Sequence, residues 1–580
     1  MLPLLPAFLA LLTGVWCGTF SGGATFLGSS AALLLLLLAL LVGGIDGNPL
    51  GLRQQGGWLL PLALVGAVAA SSWASPVPRA GWPAVILLPG YLALPGALSR
   101  CLQPSSRRGV RALSAVVGLV ALLSLVAIPW LHAERAAFPL GHHNLLAAWL
   151  LLLLPLAFLP AREEGGWRYL GWGSGLLGAA AILASRSLLG GGGLGMEVVA
   201  GLALFGWHRQ KGGYPSGRKG GRKGAFLLAG GALLALVLAV LPQGARGLRV
   251  LAGADPSARA RAVYARAGWE GFKVRPLLGW GAGSAAWTAG RFLRPVPGVN
   301  PPGEVVGELH SLPLEIAYEL GATGVLLSVG LAAAFLARRW RDARQAADPP
   351  LAAAGLLGLL GGSVAALGSA ALGVTALPIA AAIAAAVTLP VEAPSRSERR
   401  SGVSVAGGYA LCCLVALTPN LLAFRQYERA LSTPGSAHHF LASAVKLDPS
   451  FPLYRARLAW LPAAGGSAAR LESAEQALTA AREAPGVGAF WLAAGALGLR
   501  SQRPWAVGAL RQACALDPLS PFAPFLLMLA EPESPEAPTH AAHAFLAEPR
   551  LLGSPFWENH PTLLTAALQK LSLWPGIDPG

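Results

Sequence analysis

The sequence predicts an all-α fold: a polytopic helical membrane protein with roughly 12 to 14 transmembrane helices, a large outer loop and a C-terminal α-helical repeat domain. Three observations carry this. First, 54% of the 580 residues are hydrophobic against 12% charged, and the mean hydropathy is +0.55, a balance that leaves too little charge to coat a soluble core of this size. Second, apolar runs of bilayer-crossing length alternate with short loops whose basic residues fall on every second side. Third, the chain becomes charge-balanced, proline-punctuated and periodic after residue 421.

The apolar segments lie near residues 2–19, 28–45, 57–73, 82–99, 110–131, 144–161, 168–185, 189–207, 225–242, 314–337, 351–370, 372–391 and 402–421. Segment 82–99 is interrupted by Pro89 and Pro95, and 189–207 opens on a glycine run and contains Glu197. The amino terminus has no basic n-region and bulky Trp16 precedes Cys17, so the first segment reads as a retained anchor.

Loop charge sets the frame. With the amino terminus inside, the loops after even-numbered segments carry twenty basic residues, among them Arg53, Arg100, Arg162, Lys211, Lys219, Arg338 and Arg396. The short loops on the other side carry only Arg79, Arg135 and Arg186. Lysine and arginine are retained on the cytoplasmic side, which puts the long loop at 243–313 and everything after 421 outside.

The net charge of +17 raises the question of nucleic acid. Residues 422–580 hold 12 basic and 12 acidic side chains, so the excess lies in 1–421, mostly as orientation signals, and a nucleic-acid partner loses its support. Cys17, Cys101, Cys412, Cys413 and Cys514 form neither a spaced metal quartet nor a disulfide framework.

Within 422–580, Lys446-Leu447-Asp448-Pro449, Arg482-Glu483-Ala484-Pro485 and Ala515-Leu516-Asp517-Pro518 place prolines 36 and 33 residues apart. That approximates the tetratricopeptide period of about 34 residues, with an irregular helical domain as the alternative. Either way the region is expected to offer a surface to a protein partner and holds no catalytic cluster.

The chemistry-bearing residues gather in the outer loop and at the outer ends of the segments. A helix over 258–274 would align Arg259, Arg266 and Lys273 on one face. Such a stripe favours an anionic ligand, and equally fits a helix lying on anionic headgroups. Arg275 and Pro276 then lead into Gly279, Gly281 and Gly283, glycines that let backbone amides approach a ligand or turn the chain closely. No strand precedes them, so this is not a dinucleotide fingerprint. His310 stands just before the next apolar segment, with Glu308 behind it and Glu315 and Glu319 ahead. An imidazole at a wet membrane edge can take a proton from a hydroxyl, and a carboxylate can orient it; a lone interfacial histidine is also ordinary amphipathic padding. On the same side, Arg186 in Ser185-Arg186-Ser187 lies between apolar segments and needs an anion, for which phosphate suits its fork. Gly141-His142-His143-Asn144 opens a leucine-rich segment, where Asn144 serves either a ligand or its helix as a cap. No Asp-X-Asp element occurs and the first outer loop, near 20–27, has no acid, so a divalent-metal transfer site is poorly supported.

Together Gly141-His142-His143-Asn144-Leu145-Leu146-Ala147, Ser185-Arg186-Ser187, Arg275-Pro276-Leu277-Leu278-Gly279-Trp280-Gly281, and His310-Ser311 with Glu319-Leu320-Gly321 resemble the O-antigen ligase and polymerase superfamily of bacterial inner-membrane glycosyltransferases. The resemblance covers residues 130–340 in motif and 1–421 in topology. It implies metal-independent transfer, without a cofactor, of a glycan from an undecaprenyl-diphosphate carrier to a lipid or protein acceptor on the periplasmic face. It further implies that Arg186 and Arg275 hold the diphosphate and that His310 activates or positions the acceptor. The chain departs from the family in running Ser187 into Gly190–Gly193 and in carrying the repeat-like tail. Polymerase, lipid A-core ligase and protein O-glycosylation enzyme remain open, because acceptor choice lies in loop shape. From other classes, a lipid-linked glycan flippase would require ionisable residues along a midplane cavity, where only Glu197 is a candidate. A membrane-anchored scaffold would leave the outer cluster without a purpose.

Overall fold

The computed structural model describes residues 4–13, 59–99, 107–210, 249–250, 252–296, 299–301, 305–343, 348–368, 376–389, 396–461 and 467–572. The expected segments 28–45 and 225–242, the first outer loop, Cys17, Cys101, Arg53, Arg100 and the basic residues from Lys211 to Lys223 lie outside the described residues. Among the described residues no strand occurs, and the protein is an all-α polytopic membrane protein. Among the described residues six helices are long and apolar enough to cross a membrane: Pro78–Leu98, Arg107–Trp130, His143–Arg162, Leu312–Arg341, Pro349–Ala366 and Ser404–Ser432. Shorter apolar helices occupy Leu59–Trp73, Leu188–Leu202 and Ala376–Ala386.

By internal contacts the chain divides into two compact units. The first comprises Met1–Ala70, Trp82–Asp255 and His310–Leu421; the second comprises Ser71–Gly81, Pro256–Leu309 and Leu422–Gly580.

In the first unit the helices are α1 (Leu5–Leu11), α2 (Leu59–Trp73) and α3 (Pro78–Leu98), whose facing ends over residues 71–81 belong to the second unit, then α4 (Arg107–Trp130), α5 (His143–Ala157), α6 (Gly166–Ala184) and α7 (Leu188–Gln210). Helix α5 is apolar all round and accordingly central: Leu146, Trp149, Leu150, Leu151 and Leu153 are fully buried in one core with α1, α3, α4 and α6. The glycine run that opens the 189–207 segment is a packing device. A side chain on Gly190 would strike the Cβ of Ala147 at 2.8 Å, and one on Gly193 would strike the Leu151 side chain at 2.6 Å. Close approach through glycine replaces the interhelical hydrophobic drive that lipid does not provide.

Proline does not break α3 either, although Pro83, Pro89 and Pro95 lie inside it. Tyr409 enters the ladder beside Pro89: its hydroxyl accepts from the Gly90 amide at 3.0 Å and donates to the Ile86 carbonyl at 2.5 Å. One phenol thus satisfies the two backbone groups that the opened turn leaves over.

Past the second unit's loop helix α8 (Pro256–Val274), the first unit resumes with α9 (Leu312–Ala343), α10 (Pro349–Ala366), α11 (Ala376–Ala386) and α12 (Arg396–Ser432), whose last turns pass into the second. Helix α10 packs against α5 and α7; a side chain on Gly358 would meet the Leu152 carbonyl at 2.3 Å. Helix α9 is interrupted at Gly321, whose φ of 65° and ψ of −165° separate residues 312–320 from the span proper.

The second unit continues through α13 (Ala437–Leu447), α14 (Pro452–Trp460), α15 (Ser467–Glu483), α16 (Gly488–Arg500), α17 (Ala506–Leu516), α18 (Phe522–Ala530), α19 (Ala537–Ala547) and α20 (Pro561–Ser572). Each helix packs on the next. The periodic prolines Pro449, Pro485 and Pro518 follow the ends of α13, α15 and α17, so the sequence period spans two helices. Small residues line the seams, with Ala477, Ala481, Ala494 and Ala509 nearly or fully buried.

Candidate functional site

In the first unit the site residues stand where α5, α6 and α7 begin or end. Helix α5 is capped by His142, whose Nδ1 accepts the Asn144 amide at 3.3 Å. Asn144 is therefore not the cap; its side-chain oxygen instead accepts the Ser187 hydroxyl at 2.8 Å. Ser187 caps α7, its hydroxyl accepting the Gly190 amide at 3.1 Å, and Ser185 in turn accepts the Ser187 amide at 3.2 Å. Both serines are buried, while Arg186 between them is exposed, on a left-handed backbone with φ 53°. The serines fasten the turn and the arginine is presented from it. Arg135 Nη1 lies 3.2 Å from His143 Nε2.

The second unit holds the long polar loop over residues 256–309. Helix α8 buries Tyr264, Ala267, Gly268 and Gly271 and exposes Arg259, Arg266 and Lys273, the one-faced stripe expected from their spacing. Lys273 is engaged by Glu270 at 2.6 Å; this hydrogen bond, helped by Arg266 and Arg294, holds the Glu270 carboxyl below its ordinary range.

Beyond α8 the chain turns through Gly279 (φ 68°), Gly281 (φ 105°) and Gly283 (φ 65°), conformations that only glycine adopts without strain. These turns bury Trp280, 3% exposed, with its indole N–H donating to the Gly271 carbonyl at 2.9 Å. The Arg275 guanidinium lies 4.5 Å from the Trp280 ring centroid and that of Arg291 lies 5.4 Å from it. Arg275 also donates to the Ala74 carbonyl at 3.0 Å. Among the described residues no carboxylate pairs with Arg275 or Arg291. One indole thus carries two guanidiniums that have no carboxylate partner among the described residues, an arrangement that suits a multiply charged anion.

Arg291 is the residue that sequence reasoning missed. It sits in a 3-10 turn over Ala289–Arg291, sixteen residues after Arg275 with no shared periodicity, and only the fold joins them at Trp280.

Glu308 is half-buried and ends the second unit's loop one residue before buried Leu309. His310 opens the first unit's next segment with φ 52°, and the Ser311 carbonyl accepts the Glu315 amide at 2.8 Å to start α9. Glu315 and Glu319 both fall in the short helical piece before Gly321, where Tyr318 is fully buried. Within α7, Glu197 is buried against α10, where a side chain on Gly361 would meet its Oε1, and that oxygen has no hydrogen-bond partner among the described residues.

These features define a class: a multi-pass helical membrane protein that presents fixed arginines from polar turns adjoining its helices. Residues 173–329, about a quarter of the chain, match the family model described as O-antigen ligase, so this stretch is similar to that family. The match contains Arg186, Arg275, Trp280, Arg291 and His310 and leaves His143 and Asn144 outside. No curated protein matches the chain.

Proposed function

We propose that the protein transfers a glycan from an undecaprenyl-diphosphate carrier to an acceptor hydroxyl at the periplasmic face of the bacterial inner membrane, with the amino terminus cytoplasmic. The observation that carries this reading is the pair Arg275 and Arg291 held on Trp280. A diphosphate supplies the charge and the several acceptor oxygens that two guanidinium forks require. Arg186, presented between its two buried serines, is assigned to the same anion. In the reaction the acceptor oxygen bonds to the anomeric carbon as that carbon's bond to the diphosphate breaks. The hydroxyl proton passes to His310, and the arginines stabilise the charge that develops on the departing undecaprenyl diphosphate. The C-terminal helices are assigned to a tetratricopeptide-like domain.

The test is transfer in proteoliposomes supplied with purified lipid-linked donor. Arg275→Ala and His310→Ala are each expected to abolish transfer while the protein still inserts, and normal transfer by both would sink the assignment. A deletion strain that accumulates donor on the periplasmic face fits the transferase, whereas donor trapped on the cytoplasmic face favours a flippase.

A further inference from the structure

We propose that the C-terminal helical domain positions Arg275, acting through a buried ion pair between Asp448 and Arg79. This inference rests on the reading of Arg275 given above. Asp448 closes α13 in the Leu447-Asp448-Pro449 element, which in the sequence is merely repeat punctuation. Its two carboxylate oxygens accept from Arg79 Nε at 2.8 Å and Nη2 at 2.9 Å. Both partners are largely buried, Arg79 at 12% and Asp448 at 5% exposure. A two-point pair so placed fixes orientation as well as distance.

Arg79 belongs to the 71–81 segment, and that segment is the seat of the arginine loop. Its Ala74 carbonyl accepts Arg275, and the Ser71 hydroxyl donates to the Leu278 carbonyl. A side chain on Gly281 would lie 2.5 Å from the Ser75 Cβ, and one on Gly283 would lie 2.7 Å from the Ala80 carbonyl oxygen. No slack therefore separates loop from seat. The domain grips the other end of the same loop as well. The Gly486 amide donates to the Trp287 carbonyl at 2.8 Å, and the Trp287 ring meets Phe451 edge-on at 5.2 Å and Phe490 at 6.5 Å. Gly290 and Gly486 pass so closely that a side chain on either would collide with backbone. Asp448, Phe451, Gly486 and Phe490 thus form a surface whose partner is the chain's own outer loop. It holds the segment that accepts from Arg275 on one side and the turn that delivers Arg291 on the other.

The experiment uses the full-length protein in proteoliposomes and separates kcat and KM for donor and acceptor. Asp448→Asn is expected to lower kcat/KM for the lipid-linked donor by about 10- to 100-fold, the scale of a misplaced binding group, while leaving the acceptor KM unchanged. In an Arg275→Lys background, Asp448→Asn is expected to add little, because it acts through the fork already removed. If Asp448→Asn does not insert, Arg79→Lys, which keeps the charge and loses the two-point geometry, goes through the same comparison. Wild-type donor kinetics in these variants, or a full additional loss in the Arg275→Lys background, would overturn the inference. Normal kinetics of Arg275→Ala would instead sink the assignment of Arg275 itself.

Discussion

Trp280→Leu tests the platform beneath the arginines. The leucine keeps an apolar filling but removes both ring faces and the indole donor to Gly271. A cation–π contact at a partly exposed site contributes about 0.5–1 kcal/mol. With Arg275 at 4.5 Å and Arg291 at 5.4 Å from the ring, roughly 1–2 kcal/mol of positioning is lost, equivalent to about 5- to 30-fold in donor affinity. Stability falls separately. The orphaned buried carbonyl costs about 1–3 kcal/mol, and the volume left behind costs on the order of 1.5 kcal/mol. Trp280→Phe divides the two effects, since it also loses the donor but keeps a ring. Donor KM measured in proteoliposomes, with a thermal melt of the same samples, is expected to rise in the leucine variant well beyond the phenylalanine variant, while both melt earlier. Equal donor KM in the two variants would refute the idea that the ring holds the guanidiniums.

Asn144→Ala removes the acceptor of the Ser187 hydroxyl and is expected to cost about 1–2 kcal/mol and to slow transfer by loosening the turn that presents Arg186, read in a melt and a transfer assay. Gly358→Ala forces a Cβ to within 2.3 Å of the Leu152 carbonyl oxygen and should destabilise by about 1–3 kcal/mol. The control Gly407→Ala, in the helix α12 with nothing within 4 Å, should be neutral or stabilising by up to about 1 kcal/mol. Burial depresses the His543 pKa, so the unfolded chain binds more protons at that site. Stability should therefore rise with pH, reaching its full value above the ordinary imidazole range and declining as pH falls below it. Hydrogen exchange of α17 to α19 at pH 5 and 7.5 is expected to register this slope, and His543→Leu should flatten it.

Much of the membrane architecture was legible because lipid imposes a length and a polarity that a sequence cannot disguise. Most described helices from Leu59–Trp73 onward fall within about six residues of the expected segments; Ala376–Ala386 is shorter than its apolar run, and Arg396–Ser432 continues eleven residues past the expected end at 421. What the pattern could not convey was why suspect segments hold. Tyr409 repairs a proline turn more than three hundred residues away, and the glycines of α7 are explained only by their neighbours in α5 and α10. The site was legible as residues and not as connections. Arg186, Arg275 and His310 stood out by motif, whereas Arg291 joins Arg275 only through Trp280. The exceptions to the loop-charge rule were informative in retrospect: Arg79 pairs with Asp448, Arg135 lies beside His143, and Arg186 is held between capping serines. Each has a local partner or role in the fold.

Arg186 and His310 share a further property, a left-handed backbone with φ 53° and 52°. Such a conformation costs a residue bearing a Cβ about 1–2 kcal/mol, and glycine would relieve it at an entropic cost of about 0.5–1 kcal/mol. On backbone terms alone, before the side-chain contacts of Arg186 and His310 are counted, Arg186→Gly and His310→Gly should leave a chain as stable as the parent or up to about 1.5 kcal/mol more so. A screen for thermostability would therefore drift toward glycine at both positions, and a screen for glycan transfer would drive it back. The opposition between those two selections would reveal which strained residues are retained for their side chains, and His132 and Gln502, strained in the same way, supply the comparison.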